Sequence, residues 1–237
     1  MTTQRATKIV ATLGPASNTP ERLAELVAAG IDVVRLNFSH GTADDHQKRV
    51  GMLRQAAQQA GRTVGVMADL QGPKIRIGKF SAGPVAIKAG QSFILDAACA
   101  LGNDERVGLD YPELIDDVSV GDVLLLDDGR TVFDIERIEG SEIHCRNRHD
   151  GELSNNKGIN KQGGGLSAAA LTPKDMADIK TAAALNVDYV AVSFPKSGAD
   201  MHQARQLLRE AGSDALLIAK IERVEACLLY TSDAADE

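Results

Sequence analysis

The chain has 237 residues, of which 43% are hydrophobic and 25% charged, the composition of a folded globular protein rather than a disordered one. Its formal net charge of −7 argues against a nucleic-acid partner, because nucleic acids bind surfaces of clustered positive charge. No apolar segment approaches the roughly 18 residues of a transmembrane helix, and the N-terminal residues lack the apolar segment of a signal peptide. The three cysteines form no Cys-x-x-Cys pair. We therefore expect a cytoplasmic protein that binds neither nucleic acid nor membrane.

The first part of the chain alternates strand-like and helix-like segments. Thr19-Pro20 is a helix start signal, the helix that follows ends at Gly30, and residues 44–61 carry apolar side chains at helical spacing. Three apolar runs are typical of strands: Lys8–Thr12, Asp32–Phe38 and Val64–Leu70. This alternation predicts a parallel sheet with crossover helices.

The pattern changes between residues 72 and 166. Short β-like runs separated by Gly, Pro and Asp follow one another there, and no helical pattern of useful length occurs. A segment of roughly 90 residues can form its own core, so it predicts an inserted all-β domain. The alternation then resumes with a helix from Thr172 to about Asn186, a strand at Tyr189–Phe194, a helix at Ser197–Gly212 and a strand at Ala215–Ile221.

Two α/β architectures fit this order of elements. One is a partial (β/α)8 TIM-type barrel that an all-β lid domain interrupts after the third strand; the other is an open, doubly wound sheet. The number of strands alone does not decide between them. In the barrel interpretation the domains are 1–71 (first part of the barrel), 72–166 (inserted lid), 167–226 (barrel, continued and truncated) and 227–237 (a tail).

Polar residues cluster where the second strand ends. Arg35, Asn37 and Ser39 alternate with apolar neighbours, so all three point to one face of the strand. Polar groups in that arrangement need partners or solvent, and in a barrel they would lie at the carboxyl ends of the strands, where active sites form. An arginine there suits bidentate contact with phosphate. A solvated strand end is the alternative.

Two further clusters occupy the ends of other strands. Asp69 closes the third strand and is followed by Lys74 and Arg76, a carboxylate with two cations that suits an anionic substrate or, alternatively, a charged connection into the inserted domain. Lys220 and Glu222 share one face at the end of the fifth strand. A lysine there can stabilise negative charge on a transferring group, and a glutamate can bind Mg²⁺.

Other polar residues of the inserted segment carry weaker signals. His144, Cys145 and His149 are close in sequence, but a polar strand face accounts for them better than a zinc site. Lys157 lies in the loop Asn-Asn-Lys-Gly, from which it could reach a nucleotide phosphate or simply form part of a turn.

Seven segments, taken together, resemble the pyruvate kinase family in its bacterial variants. They are TKIVATLGPAS, VVRLNFSHG, ADLQGPKIR, NNKGIN, LSAAALTPKD, VAVSFPK and IAKIE, and they occur in the family's order over Thr7–Ala226. The resemblance implies the (β/α)8 barrel with a lid inserted after its third strand, of which this chain holds about five strands, and it decides against the open sheet.

The resemblance also implies a reaction: transfer of a phosphoryl group from phosphoenolpyruvate to ADP, giving pyruvate and ATP in glycolysis. By matching positions, Arg35 would grip the transferred group, Lys220 would stabilise its charge and Glu222 would hold Mg²⁺ or Mn²⁺. Residues matching the monovalent-cation pocket are Asn37, Ser39 and Asp69; those near the nucleotide phosphates are His40, Arg76 and Lys157. The family's lid closes over the site, and the role of Asp127 and Asp128 in it stays open.

One departure from the family pattern concerns potassium. Many members carry Asp-Thr-Lys-Gly-Pro-Glu-Ile-Arg-Thr where this chain has Asp69 to Ile77, so that Lys74 replaces a glutamate. A glutamate offers a negative charge that a bound cation balances, whereas Lys74 brings its own positive charge and could pair with Asp69. We therefore expect the parent enzyme to work without K⁺. Alternatively, Lys74 extends into solvent and K⁺ still binds.

The extent of the chain leads to further expectations. The segment CLLYTSDAADE resembles a translated sequencing-library adapter, so we expect native sequence to stop near Ala226. The family's Ala-Arg-Gly-Asp segment, which supplies a second Mg²⁺ carboxylate, is missing, and we expect the 237-residue chain to be inactive. The resemblance implies a homotetramer for the full-length parent. The alternatives are a non-catalytic fragment that retains phosphate or nucleotide binding, and a Mg²⁺-dependent lyase of pyruvate enolates.

Overall fold

The computed structural model describes residues 6–228. The strands of this part of the chain are β1 (Val10–Thr12), β2 (Val33–Asn37), β3 (Gly65–Asp69), β4 (Val85–Ile87), β5 (Ser92–Asp96), β6 (Arg106–Val107), β7 (Val123–Leu126), β8 (Thr131–Glu139), β9 (Glu142–Asn147), β10 (Gly151–Leu153), β11 (Ile159–Lys161), β12 (Tyr189–Val192) and β13 (Leu216–Ala219). Its α-helices are α1 (Pro20–Ala29), α2 (Ala43–Gln59), α3 (Leu114–Asp117), α4 (Pro173–Ala184), α5 (Gly198–Glu210) and α6 (Val224–Leu228).

These elements divide into two compact units. Unit 1 comprises residues 6–73 and 169–228, and unit 2 comprises Lys74–Ala168. In unit 1, five parallel strands form one sheet in the order β1-β2-β3-β12-β13. The mixed α/β class expected from the sequence is therefore present. Closure into a (β/α)8 barrel stays a prediction, since β1 and β13 are the outer strands of the sheet that these residues form.

The helices of unit 1 begin where the sequence supplies capping groups. Thr19 accepts a hydrogen bond from the Arg22 amide at the start of α1, and Gly30 ends that helix at φ 99°, a conformation that favours glycine. Three later helices start with a reciprocal capping box, in which the residue before the helix and an aspartate three positions on bond each other's backbone amides. These pairs are Thr42/Asp45 for α2, Thr172/Asp175 for α4 and Ser197/Asp200 for α5.

The core of unit 1 lies between its sheet and its helices. Val34 and Leu36 of β2 are at most 1% exposed, while the alternating residues Val33, Arg35 and Asn37 are only half-buried. Complete burial of one large apolar side chain contributes about 1.5–3 kcal/mol. The apolar face of β2 thus anchors the sheet and leaves its polar face available.

Unit 2 is built mainly from antiparallel strands. Six strands form a sheet in the order β11-β7-β8-β9-β5-β6, in which β5 and β6 run parallel and the other neighbours antiparallel, and β10 pairs antiparallel with β4. Phe93 and Phe133 stack in the core with ring centroids 5.5 Å apart. Beside them, Cys145 is buried on β9, and this burial, assisted by the negative charges of Glu136 and Asp134, raises the pKa of its thiol to about 12.

Two further observations concern the helices and the tail. None of the helices within residues 6–228 is long and apolar enough to cross a membrane. The tail expected to be non-native begins at Cys227, which lies with Leu228 in the last turn of α6. Residues 229–237 of that tail lie outside the described residues.

Candidate functional site

The guanidinium of Arg35 connects three neighbouring strands. Asn37 and Asp69 are direct partners in the parallel pairing of β2 with β3, which places Arg35 one pleat away from Asp69. Arg35 Nε donates to Asp69 Oδ2 at 2.6 Å, and Nη2 lies 2.5 Å from the same oxygen. Its Nη1 donates to the Thr12 hydroxyl at 3.1 Å, at the end of β1. The position of the guanidinium is therefore fixed from both sides.

Asp69 and Lys220 form the second part of the cluster. The Asp69 side chain is 4% exposed, and its Oδ1 lies 3.2 Å from Lys220 Nζ. That contact is an ion pair without hydrogen-bond alignment, since Oδ1 is a buried oxygen that accepts no hydrogen bond in the described structure. Lys220 Nζ donates instead to the Ser193 hydroxyl at 2.7 Å. One buried carboxylate thus holds two cations that are each about one-third exposed.

Glu222 is the outermost carboxylate of this cluster. Its Oε1 lies 3.4 Å from Lys220 Nζ, and its Oε2 accepts a hydrogen bond from the Phe194 amide at 3.3 Å. Carboxylate oxygens suit Mg²⁺, which takes one or two from a protein and completes its shell with water and substrate phosphate. Within residues 6–228 no three His, Cys, Asp or Glu side chains are grouped to hold a metal. Glu222 can therefore supply one Mg²⁺ ligand.

The turn after β2 carries the other residues predicted from its motif. The Ser39 amide donates to Asn37 Oδ1 at 3.1 Å, and the His40 amide donates to the Asn37 carbonyl at 3.2 Å. His40 is exposed, whereas Phe38 is buried and stacks on His46 with ring centroids 4.3 Å apart. The turn therefore places the polar residues Asn37 and Ser39 after β2, while the stacked rings of Phe38 and His46 pack on its buried side.

Three predicted cationic residues lie together in unit 2. Arg76 pairs with Gly158 in an antiparallel bridge, and its Nη1 donates to the Asn156 carbonyl at 2.9 Å. Lys74 Cε lies 3.1 Å from the position that a Cβ on Gly158 would occupy. The expected pairing of Lys74 with Asp69 is not observed within residues 6–228, because the cationic partners of Asp69 there are Arg35 and Lys220. Lys157 Nζ is 2.8 Å from Asp127 Oδ1, so the side chain whose role the sequence left open is the ion-pair partner of Lys157.

Two residues that contact the cluster, Ser193 and Thr12, do not stand out in the sequence. Ser193 is 1% exposed and lies just beyond β12, where it accepts from Lys220 and donates to the Leu70 carbonyl at 2.7 Å. The available signal was position: a hydroxyl at the carboxyl end of an apolar strand, as with Asp69 and Lys220. Thr12 ends β1 in the same way.

The fold of unit 1 and the charged cluster of Arg35, Asp69 and Lys220 indicate a class of protein. Unit 1 is an α/β protein in which charged side chains from three parallel strands meet at the carboxyl ends of those strands, the place where such folds bind substrates. Comparison with known proteins defines the family. The family described as "Pyruvate kinase, barrel domain" matches residues 4–230, a range that extends beyond Ala226. The chain belongs to the pyruvate kinase family.

Individual relatives agree with this assignment. Pyruvate kinase II of Salmonella typhimurium is 52% identical over 224 residues, and the pyruvate kinase of Haemophilus influenzae is 51% identical over 223. These matches cover 94% and 93% of this chain but 47% of each relative. A crystal structure of a pyruvate kinase from Cryptosporidium parvum has a TM-score of 0.87 and 34% identity, covering 95% of this chain and 48% of that one. The chain spans about half the length of these relatives.

Proposed function

We propose that the complete protein transfers the phosphoryl group of phosphoenolpyruvate to ADP, giving pyruvate and ATP. The observation that carries the proposal is the Arg35–Asp69–Lys220 cluster at the strand ends of a pyruvate kinase family member. Arg35 and Lys220 keep side-chain exposures of 30% each, so both can meet an anion while Asp69 holds them in place. Phosphoryl transfer asks mainly for positioning and charge stabilisation.

Each residue has a role in this reaction. Arg35 binds the transferring phosphoryl group, and Lys220 stabilises its charge as the bond to the enolate oxygen breaks and the bond to the ADP oxygen forms. The released enolate then takes up a proton to become pyruvate. Glu222 would hold Mg²⁺, which neutralises substrate charge when bound. His40, Arg76 and Lys157 contact the nucleotide phosphates.

The remaining architecture belongs to the same proposal. The segments 1–71 and 167–226 contribute to a (β/α)8 barrel, and 72–166 is a lid that excludes water from the transfer step. The protein acts in cytoplasmic glycolysis as a homotetramer.

The test replaces Lys220 in the complete polypeptide. Lys220→Met should lower kcat for ATP formation from phosphoenolpyruvate and ADP by about 10²–10³-fold, because a preorganised charge at the transferring group is lost. Lys48→Met, at an exposed lysine of α2, is the matched control and should leave kcat unchanged. Absence of ATP formation by the unsubstituted protein would refute the proposal. Consumption of a pyruvate enolate without phosphoryl transfer would favour the lyase instead.

A finer part of the proposal concerns the monovalent cation. By the family resemblance, Asn37, Ser39 and Asp69 are the residues of the cation pocket, and Asp69 already has Arg35 and Lys220 as cationic partners. Lys74 brings a further positive charge at a position where many members of the family carry glutamate. A bound K⁺ would then meet like-charge repulsion and add little to the rate. The complete protein should keep its rate in K⁺-free buffer balanced with tetramethylammonium, and Lys74→Glu should make the rate depend on KCl. A rate that collapses without K⁺ in the unsubstituted protein contradicts this assignment.

A second candidate function applies to the 237-residue chain by itself. The described residues group no three metal ligands, whereas the cations Arg35 and Lys220 stay partly exposed to an anion, which favours phosphate or nucleotide binding without turnover. Calorimetric titration with ADP and phosphoenolpyruvate, beside a turnover assay of the same sample, separates the two candidates. Turnover above background by this chain contradicts the non-catalytic one.

A further inference from the structure

Asp175 does more than cap its helix. Its Oδ2 accepts a hydrogen bond from the Thr172 amide at 2.9 Å, and its own amide donates to the Thr172 hydroxyl at 3.1 Å, which together form the capping box of α4. The Thr172 hydroxyl also donates to Oδ2 at 2.6 Å. Asp175 Oδ1 accepts a third hydrogen bond, from the Gly72 amide at 3.0 Å, and the residue is 0% exposed. A carboxylate is buried to this degree only when donors compensate for the lost water.

The other two capping aspartates show that capping does not require this burial. Asp45 makes the same bonds to Thr42, at 2.9 Å and 3.0 Å, and Asp200 accepts from the Ser197 amide at 3.2 Å, yet both aspartates are only half-buried. What distinguishes Asp175 is its contact with Gly72, which is 103 positions earlier in the chain. The carboxylate of Asp175 therefore binds two segments of unit 1 that are distant in sequence, one at Gly72 and one at Thr172.

Gly72 in turn lies directly against Ser193. A Cβ on Gly72 would stand 2.8 Å from Ser193 Cβ and 2.9 Å from the Ser193 carbonyl oxygen, and the φ of Gly72 is +64°. Both the close approach and the left-handed backbone require glycine at this position. The amide that donates to Asp175 thus belongs to Gly72, the residue that packs directly against Ser193.

Ser193 completes the connection to the charged cluster. Its hydroxyl accepts from Lys220 Nζ at 2.7 Å and donates to the Leu70 carbonyl at 2.7 Å, two residues before Gly72. A shift of the segment 70–72 would move the Leu70 carbonyl, which accepts the hydrogen bond from the Ser193 hydroxyl, and it would also move Gly72, which packs against Ser193 Cβ. The direction of the Ser193 lone pair, and with it the position of Lys220 Nζ, depends on that segment.

We propose that Asp175 is a positioning residue for the phosphoryl-transfer site, acting through Gly72 and Ser193 on Lys220. The inference rests on the proposed function, in which Lys220 stabilises the transferring group. Asp175 lies outside the cluster and touches none of its charged side chains through any of the hydrogen bonds described above. Its effect is to hold the segment that orients the lysine.

The test uses the complete polypeptide and separates kcat from KM. Asp175→Ala should lower kcat by about tenfold or more, since small misplacements of a catalytic group have effects of this size or larger. The KM values for phosphoenolpyruvate and ADP should change by less than about threefold, because a group acting mainly in the transition state affects kcat rather than binding. In the Ser193→Ala background the same substitution should have little further effect on kcat, because the connection is already broken.

Two controls separate positioning from simple destabilisation. Thr172→Val removes the capping hydroxyl but keeps Asp175 next to Gly72, so it should lower the Tm and leave kcat within about twofold. If Asp175→Ala does not fold, Asp175→Asn takes its place. The side-chain nitrogen of asparagine cannot accept a hydrogen bond, so the bonds to Gly72 and Thr172 cannot all be kept, and the same kcat-selective loss is expected in smaller measure.

The outcomes are distinguishable. Equal kcat losses for Asp175→Ala and Thr172→Val, or independent losses in the double variant, overturn the positioning role while leaving the proposed function intact. An unsubstituted protein that makes no ATP overturns the proposed function itself.

Discussion

Ion pairs are arranged differently in the two units. In unit 2, Arg146 pairs with Glu136 at 2.9 Å and Arg148 with Asp134 at 2.6 Å, with all four side chains about 40% exposed. In unit 1, Asp69 is 4% exposed and holds Arg35 and Lys220, which come from different strands. Exposed pairs contribute little to stability, whereas a buried charge depends on its partners. Arginine and aspartate therefore form exposed ion pairs on the sheet of unit 2, whereas in unit 1 they form a partly buried cluster of charged side chains.

The largest effect on stability is expected for Asp69→Asn. The substitution keeps the shape of the side chain but leaves Arg35 and Lys220 facing each other without a counter-charge. We expect the free energy of unfolding to fall by about 3 kcal/mol, the lower end of the range for broken buried pairs, because both cations retain some solvent. Urea titration with hydrogen exchange should locate the loss in unit 1. Unchanged stability would mean that this cluster is as weak as a surface pair.

An intermediate effect is expected for Asp96→Asn in unit 2. Burial by itself would raise the pKa of Asp96, but hydrogen bonds from the Ala98 amide, the Ser141 hydroxyl and Arg106 outweigh it, so the pKa is lowered. Loss of these charge-assisted bonds should cost about 1–3 kcal/mol at neutral pH.

The pH dependence of that effect has a defined sign. A folded-state pKa below the unfolded value means that the stabilisation is present above about pH 4 and is lost as the pH falls through the folded value. The difference in unfolding free energy between the parent chain and Asp96→Asn should therefore shrink between pH 6 and acidic pH, as followed by urea midpoints. A difference that stays constant with pH would contradict this account.

The smallest effect is expected for Asp134→Asn. Its hydrogen bonds from Arg148 lower the pKa of Asp134, but the side chain is 39% exposed and solvent screens the pair. We expect a change of less than about 1 kcal/mol, and a further decrease when 0.5 M NaCl is present in both titrations. A loss as large as that of Asp69→Asn would remove the distinction between the two units.

The sequence was most informative where a strand pattern ended in a polar residue. Arg35, Asp69 and Lys220 could be found because each interrupts or follows an apolar run, and parallel strands bring such ends together. Ser193 and Asp175 were missed because their importance comes from contacts with segments far away in sequence. A serine after a strand and an aspartate in a helix cap are common, and neither pattern reports burial.

For the fold as well, the local elements could be predicted from the sequence, but the long-range strand pairing could not. The alternation of elements in unit 1 follows from local periodicity and from start signals such as Thr19-Pro20. The strand order of unit 2 could not be read in this way: β5 lies between β6 and β9, and β11 pairs with β7, both results of long-range pairing. The short helix α3 also arises in a segment predicted to be all-β.

The protonated state of Cys145 makes the chain convenient to label. At neutral pH a maleimide reacts with thiolates, and a thiol with a pKa near 12 in a closed core offers almost none. The remaining cysteines within residues 6–228 are the half-buried Cys99 in unit 2 and the exposed Cys227 in unit 1. These two thiols give one attachment point on each unit of this chain, so a donor and acceptor dye pair could report the distance between the units without any engineered cysteine.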